Sequence, residues 1–246
     1  MQTSTTSSTP TDIPALPARV RWTRALRALA RVLAHPEETD QVLVFTTYAN
    51  AGTTAHRLDQ FYEDPRGEEL FARRRAIDST TVDLAAMSQL PEGTLGHAYA
   101  RFMTSHGLTP DVFDGSPADI ADPRAAYVIQ RMRQTHDLWH VATHAETDPA
   151  GEVALQAFTF AQAGAPSSAI LAALGTLKTV RYNTAILKDV ADMLRLGRRA
   201  EKLYWFAWED HWTTPLADVR RMLGLPAAPR TVGGYTKDAF AAATAA

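Results

Sequence analysis

Between Val153 and Leu177, in VALQAFTFAQAGAPSSAILAALGTL, there is no charged side chain. A stretch of that length can cross a bilayer, for which about 20 apolar residues suffice. Gln156, Gln162 and the break at GAPSS favour another outcome, two helices of ordinary length buried in a soluble core. Helices without a charged face need other helices to cover them, so the rest of the chain has to supply that cover.

The flanking sequence does so. From Pro17 to His35 the run PARVRWTRALRALARVLAH predicts an amphipathic helix, with Val20, Leu26, Leu29, Val32 and Leu33 as its apolar face and Arg24, Arg27 and Arg31 on another. The basic face reads either as solvated or as an interfacial surface for anionic lipid. Pro36 ends that helix. ETDQVLVFTTYANAG predicts a second helix, whose β-branched residues leave strand open, closing near Gly52. DPRGEELFARRRAI reads as a turn at Pro65 and Gly67 followed by a solvent-facing helix with solubilising arginines. LPEGTLGHAYARFM predicts a turn from Pro91 to Gly96 and a short amphipathic helix. Asp122 with Pro123, and Asp148 with Pro149, are paired N-cap and first-position signals for two later helices. After Lys178 a charged amphipathic helix is expected through LKDVADMLRLGRRAEKLYWFAWEDHW, then a turn at TTP and a last helix, LADVRRMLGL.

No strand alternation and no fixed-period repeat appears, so the expected fold is an all-α, single-domain helical bundle. The 246 residues and 46% hydrophobic content allow a sizeable core. The expected boundaries are a disordered tail at 1–15, a helical domain at 16–228 and a C-terminal extension at 229–246 with a frayed AFAAATAA. The Ser/Thr-rich start lacks the features of a signal or transit peptide, and a cytoplasmic bacterial protein is the simplest reading. A net charge of −2 argues against nucleic acid as the main partner. With no cysteine there is neither a disulfide framework nor a thiolate ligand. Any bound metal must be held by His, Asp and Glu.

That restriction gives HDLWH, residues 136 to 140, its interest. On a helix His136 and His140 lie on one face a turn apart, a spacing that suits either one shared ion or an ordinary polar face. Glu152 follows on the next helix. At about 1.5 Å of rise per residue, His140 and Glu152 stand about 10 Å and 7 Å from the turn near Thr147. Across an antiparallel hairpin with axes about 8–10 Å apart, their side chains can converge. Asp137 sits about 100° round the helix from His136, either completing the site from the flank or holding a histidine or water. His144 is an additional candidate one turn on, and Gln156 and Thr159 either support the site or face water. Trp139 packs under the site or lines a pocket. Two histidines with one or two carboxylates suit a divalent metal, zinc in an open catalytic arrangement or non-haem iron(II).

His136, Asp137 and His140, then eleven residues and Glu152, resemble the hallmark of the coenzyme Q (ubiquinone) biosynthesis protein four family. LPEGTLGHAYARFM and GRRAEKLYWFAWEDHWTTPLADVRRMLGL are similar to its other signature segments, so the resemblance covers roughly residues 20 to 226. It implies a mostly helical fold, a divalent metal held by all four of those side chains, and an apolar cavity beside it for a polyprenyl tail. It also implies work on ubiquinone precursors: loss of the C1 carboxyl from a 4-hydroxy-3-methoxy-5-polyprenylbenzoate, with oxidation at that carbon, or a scaffold role in a biosynthetic complex at the membrane. A polyprenylated aromatic or lipid-like ligand, a membrane surface, biosynthetic partner proteins and a homodimer are the partners this suggests.

Three rivals stand beside it. An HD-type phosphohydrolase needs further ligands, for which only His106 and Asp192 offer themselves. A lipid-binding scaffold would use the Arg-rich helix and the aromatic face of Trp205, Trp208 and Trp212, which reads equally as core. Recruitment to a specialised pathway would bring a non-quinone substrate.

Overall fold

The computed structural model describes residues 16–35, 38–111, 120 and 122–235. The expected N-terminal tail, Pro36 and the AFAAATAA end lie outside these residues. The elements are α1 (Ala18–Ala34), α2 (Thr39–Asn50), α3 (Thr54–Glu63), α4 (Pro65–Ala72), α5 (Leu84–Met87), α6 (Leu95–Ser105), α7 (Pro123–Gln134), α8 (His136–Thr143), α9 (Pro149–Ala163), α10 (Pro166–Thr179), α11 (Ala185–Arg199) and α12 (Leu216–Met222). Among the described residues, β-pairing is limited to two isolated bridges, Thr94 with Pro215 and Ala145 with Val232. The fold is all-α.

The uncharged stretch divides as its sequence predicts, into α9 and α10 with the break at 164–165. Helix α9 is the centre of the molecule, packed along α11 and α10. Its Ala154, Leu155 and Phe158 join Leu138, Trp139, Met103, Tyr99 and Trp208 in the main core. Gln162 is 2% exposed, and both ends of its amide are used: Nε2 donates to the Gly197 carbonyl at 2.7 Å, and Oε1 accepts from Leu203 N–H at 2.9 Å. A buried amide satisfied in this way costs little, and it ties α9 to the end of α11. A second, smaller core forms between α1 and α2 from Ala25, Ala28, Leu29, Phe45 and Ala49, closed by Ile170, Leu171 and Leu174 of α10.

Several details differ from the sequence reading. Helix α1 buries Ala25, Ala28 and Leu29, while Leu26 and Leu33 are 56% and 55% exposed. Small alanines allow α2 to approach closely, and the burial follows that approach rather than side-chain size. Pro65 and Gly67 are not in a turn but inside the first turn of α4, behind the Asp64 cap. The arginines after it are not all solvated: Arg75 bridges to Asp210 at 2.7 Å. The helix of LKDVADMLRLGRR stops at Arg199, and two 3-10 turns, Leu203–Trp205 and Trp208–Asp210, replace its expected continuation. Trp208 is fully buried and donates to the Leu203 carbonyl, Trp212 stacks on Tyr99, and Trp205 donates to the Phe61 carbonyl. The aromatic segment is thus core and its margin. Residues 229–235, set apart by sequence as an extension, pack against the α8–α9 connection.

Candidate metal centre

Helices α7 and α8 form one rod interrupted at Thr135, whose hydroxyl donates to the Arg131 carbonyl. His136 opens α8 and His140 lies a turn later on the same face. The helix ends at His144 in left-handed backbone, φ 59°, where its N–H donates to the His140 carbonyl. After the connection, Asp148 caps α9 by accepting from Gly151 N–H at 3.0 Å, and Pro149 starts the helix. Gly151 sits hard against this connection: a Cβ there would lie 2.1 Å from the Glu146 carbonyl oxygen. Only glycine allows that approach. It brings Glu152, the next residue, across to the histidines.

His136 Nε2, His140 Nε2 and a Glu152 carboxylate oxygen lie within 4.8 Å of one another, the group among the described residues that can hold a metal ion. The two Nε2 atoms are 3.3 Å apart, His140 Nε2 is 3.2 Å from Glu152 Oε1, and His136 Nε2 is 3.7 Å from Oε2. Two metal–ligand bonds of about 2.0–2.1 Å at the tetrahedral angle span about 3.3–3.4 Å, so these side chains fit a small divalent ion. His140 is prepared for that role. Its Nδ1 is 3.0 Å from the Ala145 carbonyl, which can only accept, so the proton sits on Nδ1 and the lone pair on Nε2 faces the group. Phe102 stacks on its ring at 5.6 Å, and the residue is 2% exposed. The Glu152 side chain is 40% exposed, which leaves one side of the group open.

The electrostatics agree with a shared charge. Burial pushes the Glu152 carboxyl upward, but the hydrogen bonds and charge that His136 and His140 offer when protonated, with no metal bound, outweigh it and hold it far below the usual carboxylate range. For His136 burial pulls downward, and the Glu152 hydrogen bond with the charges of Glu152 and Asp137 raises it overall.

The other expected site residues are placed differently. Asp137 is half-buried on the flank and is not among the three groups that converge. Burial pushes its carboxyl up, opposed by the nearby His136 and His140. Trp139 is 1% exposed and packs edge-to-face on Phe158, so it is core under the site. His144 turns away, its Nδ1 3.2 Å from the Pro229 carbonyl. The Thr159 hydroxyl donates to its own helix at Leu155, and Gln156 is half-buried a turn beyond Glu152. Two clefts lie away from the metal group. One, about 580 Å³, is lined by Arg57, Phe160, Lys202 and Trp205 among others; the other, about 610 Å³, by Arg24, Arg27, Arg31, Val44 and Tyr48. Of the apolar side chains of α9, Ala154, Leu155 and Phe158 pack into the main core, while Phe160 lines the first of these clefts. Asp192 is engaged by Lys188, Arg195 and Arg230, and His106 by the Phe102 carbonyl, so the phosphohydrolase set does not assemble. Sequence reasoning missed Ala145, whose carbonyl orients His140; no side-chain signal marks it.

These features define a class, an all-helical protein with a two-histidine, one-carboxylate group that could hold a metal, carried on a tight helical hairpin. The family model described as Coenzyme Q (ubiquinone) biosynthesis protein Coq4 matches residues 12–229, and the chain belongs to that family. It is 30% identical over 227 residues to the mitochondrial ubiquinone biosynthesis protein COQ4 homolog of Rattus norvegicus, covering 92% of this chain and 85% of that one. Against the Homo sapiens homolog the identity is 31% over 217 residues, with 85% and 80% covered. A solved structure of a Nostoc punctiforme PCC 73102 protein assigned to ubiquinone biosynthesis is also similar, with TM-score 0.68, 27% identity and coverage of 82% of this chain and 97% of that one. No helix among the described residues is long and apolar enough to cross a membrane.

Proposed function

We propose that the chain is a metal-dependent enzyme of ubiquinone-type biosynthesis that removes the C1 carboxyl group of a polyprenylated 4-hydroxybenzoate. The convergence of His136, His140 and Glu152 in a member of this family carries the reading. A divalent ion, zinc or iron(II), supplies when bound a Lewis acid that favours the anionic phenol or carboxyl of the ring. His136 and His140 present neutral nitrogens from one rigid helix face, and Glu152 closes the group while keeping it open to solvent. On this proposal Asp137, on the flank, delivers a proton to the ring carbon as carbon dioxide departs. Plain decarboxylation leaves hydrogen at C1, whereas oxidative decarboxylation leaves a hydroxyl there and consumes a two-electron oxidant such as dioxygen, so the product and the oxidant requirement separate the two. The test is metal content and carbon dioxide release from a 4-hydroxy-3-methoxy-5-polyprenylbenzoate for wild type, His140→Ala and Glu152→Ala. Full turnover by both variants without metal would overturn the proposal.

A second reading, a lipid-binding scaffold, is favoured by α1. Its exposed Trp22, Leu26 and Leu33 stand beside Arg24, Arg27 and Arg31, a combination suited to an anionic membrane surface. On this reading the protein is peripheral at the cytoplasmic face and serves partner enzymes or a second copy of itself. Sedimentation with anionic vesicles, reduced by Leu26→Asp, supports it; equal recovery with neutral vesicles counts against it.

A further inference from the structure

We infer that Arg230–Tyr235, which follows the end of the family match, is a positioning strap for the metal centre. The segment brackets Ala145. Val232 N–H donates to the His144 carbonyl at 3.0 Å, and Glu146 N–H donates to the Val232 carbonyl at 2.9 Å. Ala145, between those two bonds, offers the carbonyl that holds His140 Nδ1–H. The strap therefore fixes the peptide that sets the tautomer and the angle of a ligand histidine.

The same segment also reaches the other ligand-bearing helix. Gly234 N–H donates to Asp148 Oδ1 at 2.9 Å and Tyr235 N–H to Oδ2 at 3.3 Å, while Oδ1 also caps α9 at Gly151. Gly233, at φ +82°, leaves no space between the strap and this turn: a Cβ there would lie 2.4 Å from Asp148 Oδ1 and 2.6 Å from Gly151 N. The strap is anchored on α11. Tyr235 donates its hydroxyl to buried Asp189 at 2.6 Å, and Arg230 bridges Asp189 at 2.7 Å and Asp192 at 2.9 Å. Pro229, just before the strap, accepts from the ring of His144, which the left-handed end of α8 already carries off the face of the metal group. The strap thus joins α11 to the connection between the two helices that carry the ligands. Groups that hold ligands from behind are worth about 10–100-fold in metal affinity.

The affinity arm of this inference rests on the metal reading; the tautomer of His140 does not. The test uses the full chain with Gly233→Ala and Tyr235→Phe, and Phe45→Leu in the α1–α2 core as a stability control. Competition of Zn²⁺ and Co²⁺ against a chromophoric chelator should show a loss of about 10–100-fold for Gly233→Ala and a smaller loss for Tyr235→Phe. Phe45→Leu should lower the melting temperature and leave affinity unchanged. Nitrogen NMR of the metal-free chain, at an alkaline pH where the imidazoles are neutral, should show His140 carrying its proton on Nδ1 in wild type and in Phe45→Leu, and a mixture of tautomers in Gly233→Ala. Folded strap variants with wild-type affinity and a wild-type tautomer would sink the inference. A chain that binds no metal, but whose His140 tautomer shifts in the strap variants, rejects the metal reading and keeps the strap. If Gly233→Ala does not fold, Tyr235→Phe, which loses only a hydroxyl, decides both measurements.

Discussion

One helical rod, α7 followed by α8, carries two polar clusters barely a turn apart, and they are built in opposite ways. Arg131 has a fully buried side chain that bonds both carboxylate oxygens of Glu209 and the Phe206 carbonyl. It is a closed ion pair that seals the aromatic segment against the rod. His136 and His140 face Glu152 and each other, and the side of the carboxylate away from them is open. Partners fixed within the protein take up both terminal nitrogens of Arg131 and leave only its buried Nε unmatched, with no open side; the second cluster keeps room for one more partner. That difference, rather than burial or charge alone, separates a structural polar cluster from one that could hold a ligand on the same element.

Breaking the closed pair should have the largest effect. Arg131→Leu leaves Glu209 buried and unpaired, and removal of one partner of such a pair costs about 3–5 kcal/mol of stability. The double variant Arg131→Leu/Glu209→Leu should recover most of that loss in chemical denaturation. A double variant as unstable as the single one would mean that the pair does more than neutralise itself.

The open group should respond in the reverse sense. His140→Ala should weaken metal binding by more than about 100-fold, beyond the range for groups that only support a ligand. The stability of the metal-free chain should change far less than in Arg131→Leu. Chelator competition and denaturation on the same preparations measure both quantities. A stability loss equal to that of Arg131→Leu would make the group structural as well.

Acidity sharpens the contrast further. Glu152 titrates below its ordinary value of 4.5 in the folded chain, so its contribution to stability is present above that value and is lost as pH falls through the lowered one. His136 titrates above 6.5, so its contribution is complete below 6.5 and is lost as pH rises through the raised value. In the metal-free protein the stability difference between wild type and Glu152→Gln should therefore be largest between about pH 4.5 and 6.5 and shrink on either side. Bound metal should remove the alkaline decline, because it takes neutral imidazole. Melting curves across pH, with and without metal, test this, and a difference that only grows toward alkaline pH would contradict the assignment.

How much of this could be read beforehand depended on range. The caps at Asp122 and Asp148, the one-turn spacing of the histidines and the split of the uncharged stretch are local, and each appears as expected. Arg131 with Glu209 joins residues 78 positions apart, and nothing near either marks the pairing. Without that pairing, LYWFAWEDHW reads as more helix; with it, two 3-10 turns place Trp208 in the core. Gly67 looked like a turn residue because glycine is common there, yet it lies in α4, where a Cβ would sit 1.9 Å from the Phe61 carbonyl oxygen. Leu26 and Leu33 misled because size suggested burial, whereas the partner helix chose the alanine face.

The finest division concerns Asp137, adjacent in sequence to His136 but rotated off the face on which His136, His140 and Glu152 meet. If the converging group is complete without it, Asp137→Asn should weaken metal binding by no more than about 10-fold, the low end for a supporting group. Turnover should fall more than affinity, since the amide cannot deliver a proton. If Asp137 is a ligand after all, affinity should drop as steeply as in His140→Ala. The ratio of the two affinity losses, measured by the same chelator competition, therefore decides whether the open cluster holds its ion through three side chains or four. It also decides whether Asp137 serves the ion or the proton.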